Sequence, residues 1–74
     1  MKYTVIIEQG EDGGWGGYLP DLPGLVLAGN TREQLMATMQ DGIETYLDAL
    51  REAGMPIPKP AAEAMTVDVA VEAA

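Results

Sequence analysis

The chain reads as a single small α+β domain: a three-stranded meander, one long helix packed on one sheet face, and a C-terminal strand, in the order β-β-β-α-β. Three observations lead there. An apolar stripe of helical period runs from Arg32 to Ala53. Short β-branched or aromatic runs, cut by glycine and proline turns, precede it, and a cleanly alternating run follows it. The 74 residues contain no internal repeat and leave room for one core, so residues 1–74 are read as one domain.

The first strand is expected over about residues 2–8, KYTVIIE, rich in β-branched residues. Tyr3, Val5 and Ile7 share one face; Thr4, Ile6 and Glu8 share the other, which Ile6 makes partly apolar. Gln9–Gly14 is turn chemistry with Asp12-Gly13 inside it, so the second strand, about residues 15–19, returns as a hairpin. Its two glycines, Gly16 and Gly17, weaken it and predict a bulge or the close approach of another backbone. Pro20–Gly24, PDLPG, stops that strand, because two prolines withdraw backbone donors. A third strand is expected over about 25–28, and Gly29-Asn30 turns the chain into the helix.

The helix is expected over about 32–53. At about 100° per residue, Leu35, Tyr46, Met39, Leu50, Ile43, Met36 and Leu47 fall within an arc of roughly 120°. Glu33, Asp41, Glu44, Asp48, Arg51 and Glu52 fill the opposite arc, and only Arg32 lies under the stripe. Thr31 is placed to cap the first turn, with Gln34 reaching back as in a capping box. Gly54 suits the left-handed residue after the last turn, and Pro56 bars continuation. Residues 55–60, MPIPKP, form a stiff extended connector that returns the chain beside the helix. The last strand is expected over 65–72, with Val67, Val69 and Val71 on one face and Thr66, Asp68, Ala70 and Glu72 on the other. The sheet face away from the helix carries Ile6 and Tyr18. Part of it, or an exposed edge strand, is expected to be covered in a homo-oligomer, a dimer or tetramer, since a core of this size is marginal.

Composition narrows the function. Twelve acidic residues stand against four basic ones, a net charge of −8, and no basic patch for nucleic acid or anionic lipid can be assembled from Lys2, Arg32, Arg51 and Lys59. Acidity keeps a small protein soluble, and it also suits a basic protein partner. There is no cysteine and no histidine, which removes disulfides, thiolate metal sites and the commonest general base. No apolar run approaches the roughly 20 residues that span a bilayer, and the first residues lack a signal-peptide pattern, so a cytoplasmic location is expected.

Three landmarks, in order and over nearly the whole chain, carry a resemblance: Tyr18-Leu19-Pro20-Asp21-Leu22-Pro23-Gly24, then Gly29-x-Thr31-x-Glu33, then Gly54-x-Pro56-x-Pro58-x-Pro60. Together they resemble the N-terminal domain of HicB-type antitoxins, the UPF0150 family. The resemblance implies a partial RNase H-like fold. It also implies a partner: HicA, a small basic toxin with a double-stranded-RNA-binding-like fold that cleaves mRNA using a histidine. HicB-type proteins bind that toxin and mask its active site. Longer members continue into a C-terminal DNA-binding domain, and this chain is read as the short form. The function expected is therefore that of a non-catalytic antitoxin in a type II toxin–antitoxin system. The competing reading is an orphan oligomeric domain with a structural or ligand-binding role and no toxin.

A two-metal nuclease needs several carboxylates converging on the metals, usually one from mid-strand. Here the first strand offers Thr4-Val5-Ile6-Ile7 at its centre, and nothing brings Glu8, Asp21 and Asp68 together. No catalytic, cofactor or metal residues are therefore assigned. Candidate partner-binding residues are Trp15, Tyr18, Asp21, Glu44, Asp48 and Glu52. Trp15 and Tyr18 serve equally as cross-strand packing or as interface anchors. Asp21, after a proline, is expected to accept backbone N–H groups in its own turn. Glu44, Asp48 and Glu52 follow one another at i, i+4, where like charges oppose the helix, so they mark either a solvated face or one that meets a basic toxin.

Overall fold

A computed structural model describes residues 1–72; the last two residues of the expected domain lie outside them. Strands β1 (Ile6–Gln9), β2 (Trp15–Tyr18) and β3 (Val26–Gly29) form an antiparallel sheet in the order β1-β2-β3, followed by helix α1 (Arg32–Glu52). The register pairs Ile6 with Tyr18 and Tyr18 with Val26, Ile7 with Gly17 and Gly17 with Leu27. Period-two alternation then sorts the sheet. Ile7, Trp15, Gly17 and Leu27 face α1, whereas Ile6, Glu8, Gly16, Tyr18, Val26 and Ala28 face away.

The strands are shorter than the apolar runs. β1 begins at Ile6, not Lys2, because its register would set Thr4 opposite Pro20, which has no N–H to give a ladder. β2 ends at Tyr18, and Leu19 turns inward, 2% exposed. The PDLPG loop closes with turns from Leu22 N–H to Leu19 O and from Leu25 N–H to Leu22 O. It delivers Leu22, fully buried, to a core otherwise made by Leu19, Leu35 and Met39. Half-buried Tyr3, Val5, Ile7, Trp15, Leu27, Ile43 and Tyr46 are among those packed around it. Thus a loop leucine, outside any periodic pattern, is as buried as the helix stripe.

The helix ends are fixed as its caps dictate. Thr31 Oγ1 accepts from Gln34 N–H at 3.1 Å, and the Gln34 side chain accepts from Asn30 N–H at 3.1 Å, one residue earlier than a capping box requires. At the other end Gly54, φ +70°, takes the left-handed position after Ala53. Met55 N–H then reaches Leu50 O and Gly54 N–H reaches Arg51 O, a complete Schellman motif. Of the stripe, Leu35 and Met39 are buried and Met36 is 42% exposed. The helix packs on β3 and β2 but not on β1 among the described residues.

Gly29, at the junction of β3 and the helix, explains how closely the two layers meet. A Cβ there would lie 2.8 Å from Leu35 N and 3.1 Å from Leu35 Cα, both backbone atoms that cannot swing aside. In β2 a Cβ at Gly16 would find ordinary room, Leu27 O at 3.8 Å, while one at Gly17 would meet Met39 Cε at 3.0 Å and Ile6 O of the paired strand at 3.3 Å, so the tightest approach comes from a side chain and not from another backbone.

The strand expected over 65–72 is not formed. Residues 53–72 contain neither helix nor strand, and Met65, Val67, Val69 and Val71 are 65–86% exposed. Alternation gives a run two faces, but a strand also needs a neighbour to bond, and no ladder reaches this run in the single chain. Gly29→Ala is expected to cost about 1–3 kcal/mol through overpacking, with a fall in Tm of roughly 4–8 °C per kcal/mol in a domain of this size. Thermal unfolding followed by circular dichroism measures it.

Candidate interaction site

The six candidate residues fall in three separate places. Asp21 does not serve its own turn. Its Oδ2 accepts from Ala61 N–H and from Ala62 N–H, both at 3.1 Å, forty residues along the chain. The hydroxyl of Thr4 donates to Ala62 O at 2.9 Å, and the Tyr3 hydroxyl donates to Pro58 O. The Tyr46 hydroxyl donates to Pro23 O at 3.0 Å, tying α1 to the same loop. The proline connector therefore returns beside residues 3–4 and the PDLPG loop rather than along the helix. The chemistry is simple. Prolines 56, 58 and 60 have no N–H, so Ala61 and Ala62 offer the first pair of donors after them, and one carboxylate oxygen takes both. Sequence reasoning found the carboxylate and missed its partners, since nothing local links position 21 to position 61.

Trp15 and Tyr18 diverge. Trp15 is half-buried on the helix side, packed against the core, while Tyr18 is 45% exposed on the outer face beside Val26 at 71%. Both border an open hollow of about 970 Å³ lined also by Glu8, Val26, Ala28 and Gln34. Gly16, on the outer face of β2, lines it with no side chain to fill it.

Glu44, Asp48 and Glu52 are exposed along the back of α1. Asp48 pairs with Arg51 at 2.8 Å, with both side chains more than 60% exposed, a pair worth little in water. Glu44 and Glu52 extend the same negative face. Among the described residues, no group of three His, Cys, Asp or Glu side chains is placed to hold a metal ion. No helix among the described residues is long and apolar enough to cross a membrane.

The fold is of the α+β class, a small antiparallel sheet under one amphipathic helix, with an acidic helix face and a proline connector held by Asp21. Comparison with known proteins gives the class a family. The profile described as "HicB_like antitoxin of bacterial toxin-antitoxin system" matches residues 3–72, and the chain belongs to that family. It is 37% identical over 67 residues to UPF0150 protein Ta0767 of Thermoplasma acidophilum, covering 90% of this chain and 97% of that one. UPF0150 protein ssr1765 of Synechocystis is 35% identical over 58 residues, covering 78% of this chain and 73% of the relative. Antitoxin HicB 2 of Photorhabdus laumondii is 38% identical over 60 residues, 81% of this chain but 42% of that longer protein.

Asp21→Ala is expected to release the connector without unfolding the body. Hydrogen exchange at Ala61 and Ala62 should rise to near the rate of unprotected amides, while global stability falls by no more than about 1–3 kcal/mol. Unchanged protection at these amides contradicts the latch.

Proposed function

We propose that this chain is a non-catalytic antitoxin that binds and masks a small basic, mRNA-cleaving toxin of the HicA type in the cytoplasm. The observation that carries the reading is the −8 charge together with where it sits: Asp41, Glu44, Asp48 and Glu52 are all exposed on the side of α1 away from the core. Membership of an antitoxin family supports it. A basic toxin meeting this face gains attraction over a distance set by ionic strength, which speeds encounter and disfavours wrong partners. Tyr18, on the outer sheet face, is the aromatic free to anchor such a contact; Trp15 is engaged in the core. The same surface repels phosphate backbones, so no direct nucleic-acid binding is assigned to this chain. The RNase H-like relation is proposed in the same spirit: residues 65–72 complete that sheet when they find a strand to pair with.

A second reading, an oligomeric domain with a ligand-binding or structural role and no toxin, is favoured by the open hollow beside Tyr18. The neighbouring gene discriminates. Co-expression with a small basic toxin encoded beside it should restore growth and yield a co-purifying complex; failure to rescue growth, with no complex formed, removes the antitoxin reading. In the complex, the triple change Glu44→Gln, Asp48→Asn, Glu52→Gln should slow association about tenfold at low salt, with the difference shrinking as salt screens the charges. Stopped-flow mixing reads this directly. Tyr18→Ala should weaken the complex by about 1–2 kcal/mol with little effect on the free fold, whereas Trp15→Ala should cost the free fold about 2–4 kcal/mol. Equal effects of the two on the free fold contradict the placement.

A further inference from the structure

We propose that residues 65–72 of one copy add as a strand to the free edge of β1 in a second copy, and that the exchange, made in both directions about a two-fold axis, forms the dimer of this protein. The proposal stands independently of the antitoxin reading.

The donor is plain in the structure. Residues 63–72 are all exposed, and no ladder or turn bond involves them among the described residues. The radius of gyration is 15.2 Å, against about 11 Å for a compact chain of this length. The long axis is 55 Å while the other two are 27 and 17 Å. Ten extended residues reach about 33 Å, so an arm of this length accounts for the excess. Three valines on one side of an arm and Thr66, Asp68 and Glu72 on the other are the pattern of a half-buried strand held in water.

The acceptor lies on the same chain. Among the described residues β1 pairs with β2 on one side and with nothing on the other. Between Val5, the residue just before β1, and the helix is a mostly apolar hollow of about 280 Å³, lined by Val5, Met36, Ala37, Met39, Gln40 and Ile43. Met36, part of the apolar stripe, is left 42% exposed. A fourth strand on β1 places alternate side chains over this hollow and the others on the outer face. Val67, Val69 and Val71 then cover Met36 and Ile43, and Asp68 and Glu72 stay wet.

The occupant is a second copy because of where the arm starts and what the core lacks. Asp21 and Thr4 hold Ala61 and Ala62 against the chain's own body, and from there the arm leaves it. The four fully buried side chains among the described residues make a core below what usually stands alone, and exchange supplies the missing layer to both copies. Donor and acceptor on one chain make the contact self-complementary, so it closes at two and leaves neither β1 edge bare. Each copy carries −8, so the two repel, and salt should strengthen this dimer while it slows toxin association.

The chain has no cysteine, which makes the test clean. Light scattering should give a dimer mass for the wild type, rising in stability with salt. Val67→Asp with Val69→Asp should weaken the dimer at least tenfold, with the helical circular dichroism signal retained. Glu8→Cys and Ala70→Cys, both exposed positions, report on the pairing. Oxidising a mixture of the two single variants should give a covalent heterodimer. A monomeric wild type, a dimer indifferent to the aspartates, or a double-cysteine chain that closes only on itself each overturns the proposal, the last by assigning the edge to the chain's own arm.

Discussion

The close seating of α1 on the sheet is the constraint on which the rest depends. Leu35 and Met39, one turn apart on the helix, are the side chains it buries completely. They reach that depth because the strands beneath offer no side chain at Gly29 and Gly17, where a Cβ would lie 2.8 Å from Leu35 N and 3.0 Å from Met39 Cε. Leu19 and Leu22, brought in by the turn after β2, fill the remaining space. Glycine costs backbone entropy in a strand, and here the return is close packing between layers. A helix of 21 residues is thus held by a narrow contact, over strands of four residues each.

A narrow contact has consequences for the surface. The apolar stripe of α1 is longer and wider than the three strands can cover, so apolar surface remains at Met36 and toward the edge of β1. The back of the helix stays anionic. Between these, the proline connector and the residues just after it are tied to the PDLPG loop through Asp21 and to the first residues through Tyr3 and Thr4, which sets where the last residues leave the body. A molecule built this way has much to offer a partner by contact. Among its described residues no group of three His, Cys, Asp or Glu side chains is placed to hold a metal ion, and the family is described by the antitoxins it contains.

How much of this is legible in the sequence follows the range of each interaction. The helix, its Thr31 cap and its Gly54 stop are written in residues three and four apart, and the structure reproduces them within one residue. The strands β2 and β3 stand where the turns place them. β1 is shorter than its apolar run because its length is set across the sheet by Pro20, not along the chain. Asp21 reads as a turn aspartate and acts on Ala61 and Ala62, a contact of 40 residues' separation that no local pattern encodes. Leu22 is buried from within a loop, where periodicity is silent. Residues 65–72 carry a strand's alternation, and alternation alone does not name the edge it will join. Of the site, the acidic helix face was legible from the period of its charges, and the divergence of Trp15 and Tyr18 follows from parity once β2 is placed.

The measurement closest to the centre of this account compares three substitutions along one helix face in chemical denaturation. Leu35→Ala and Met39→Ala should each lose about 2–5 kcal/mol, enough to leave so small a domain largely unfolded, while Met36→Ala should lose less than about 1.5 kcal/mol in the monomer. Comparable losses at all three positions would show that the helix is held along its whole stripe, and would contradict a fold resting on one close contact over Gly17 and Gly29.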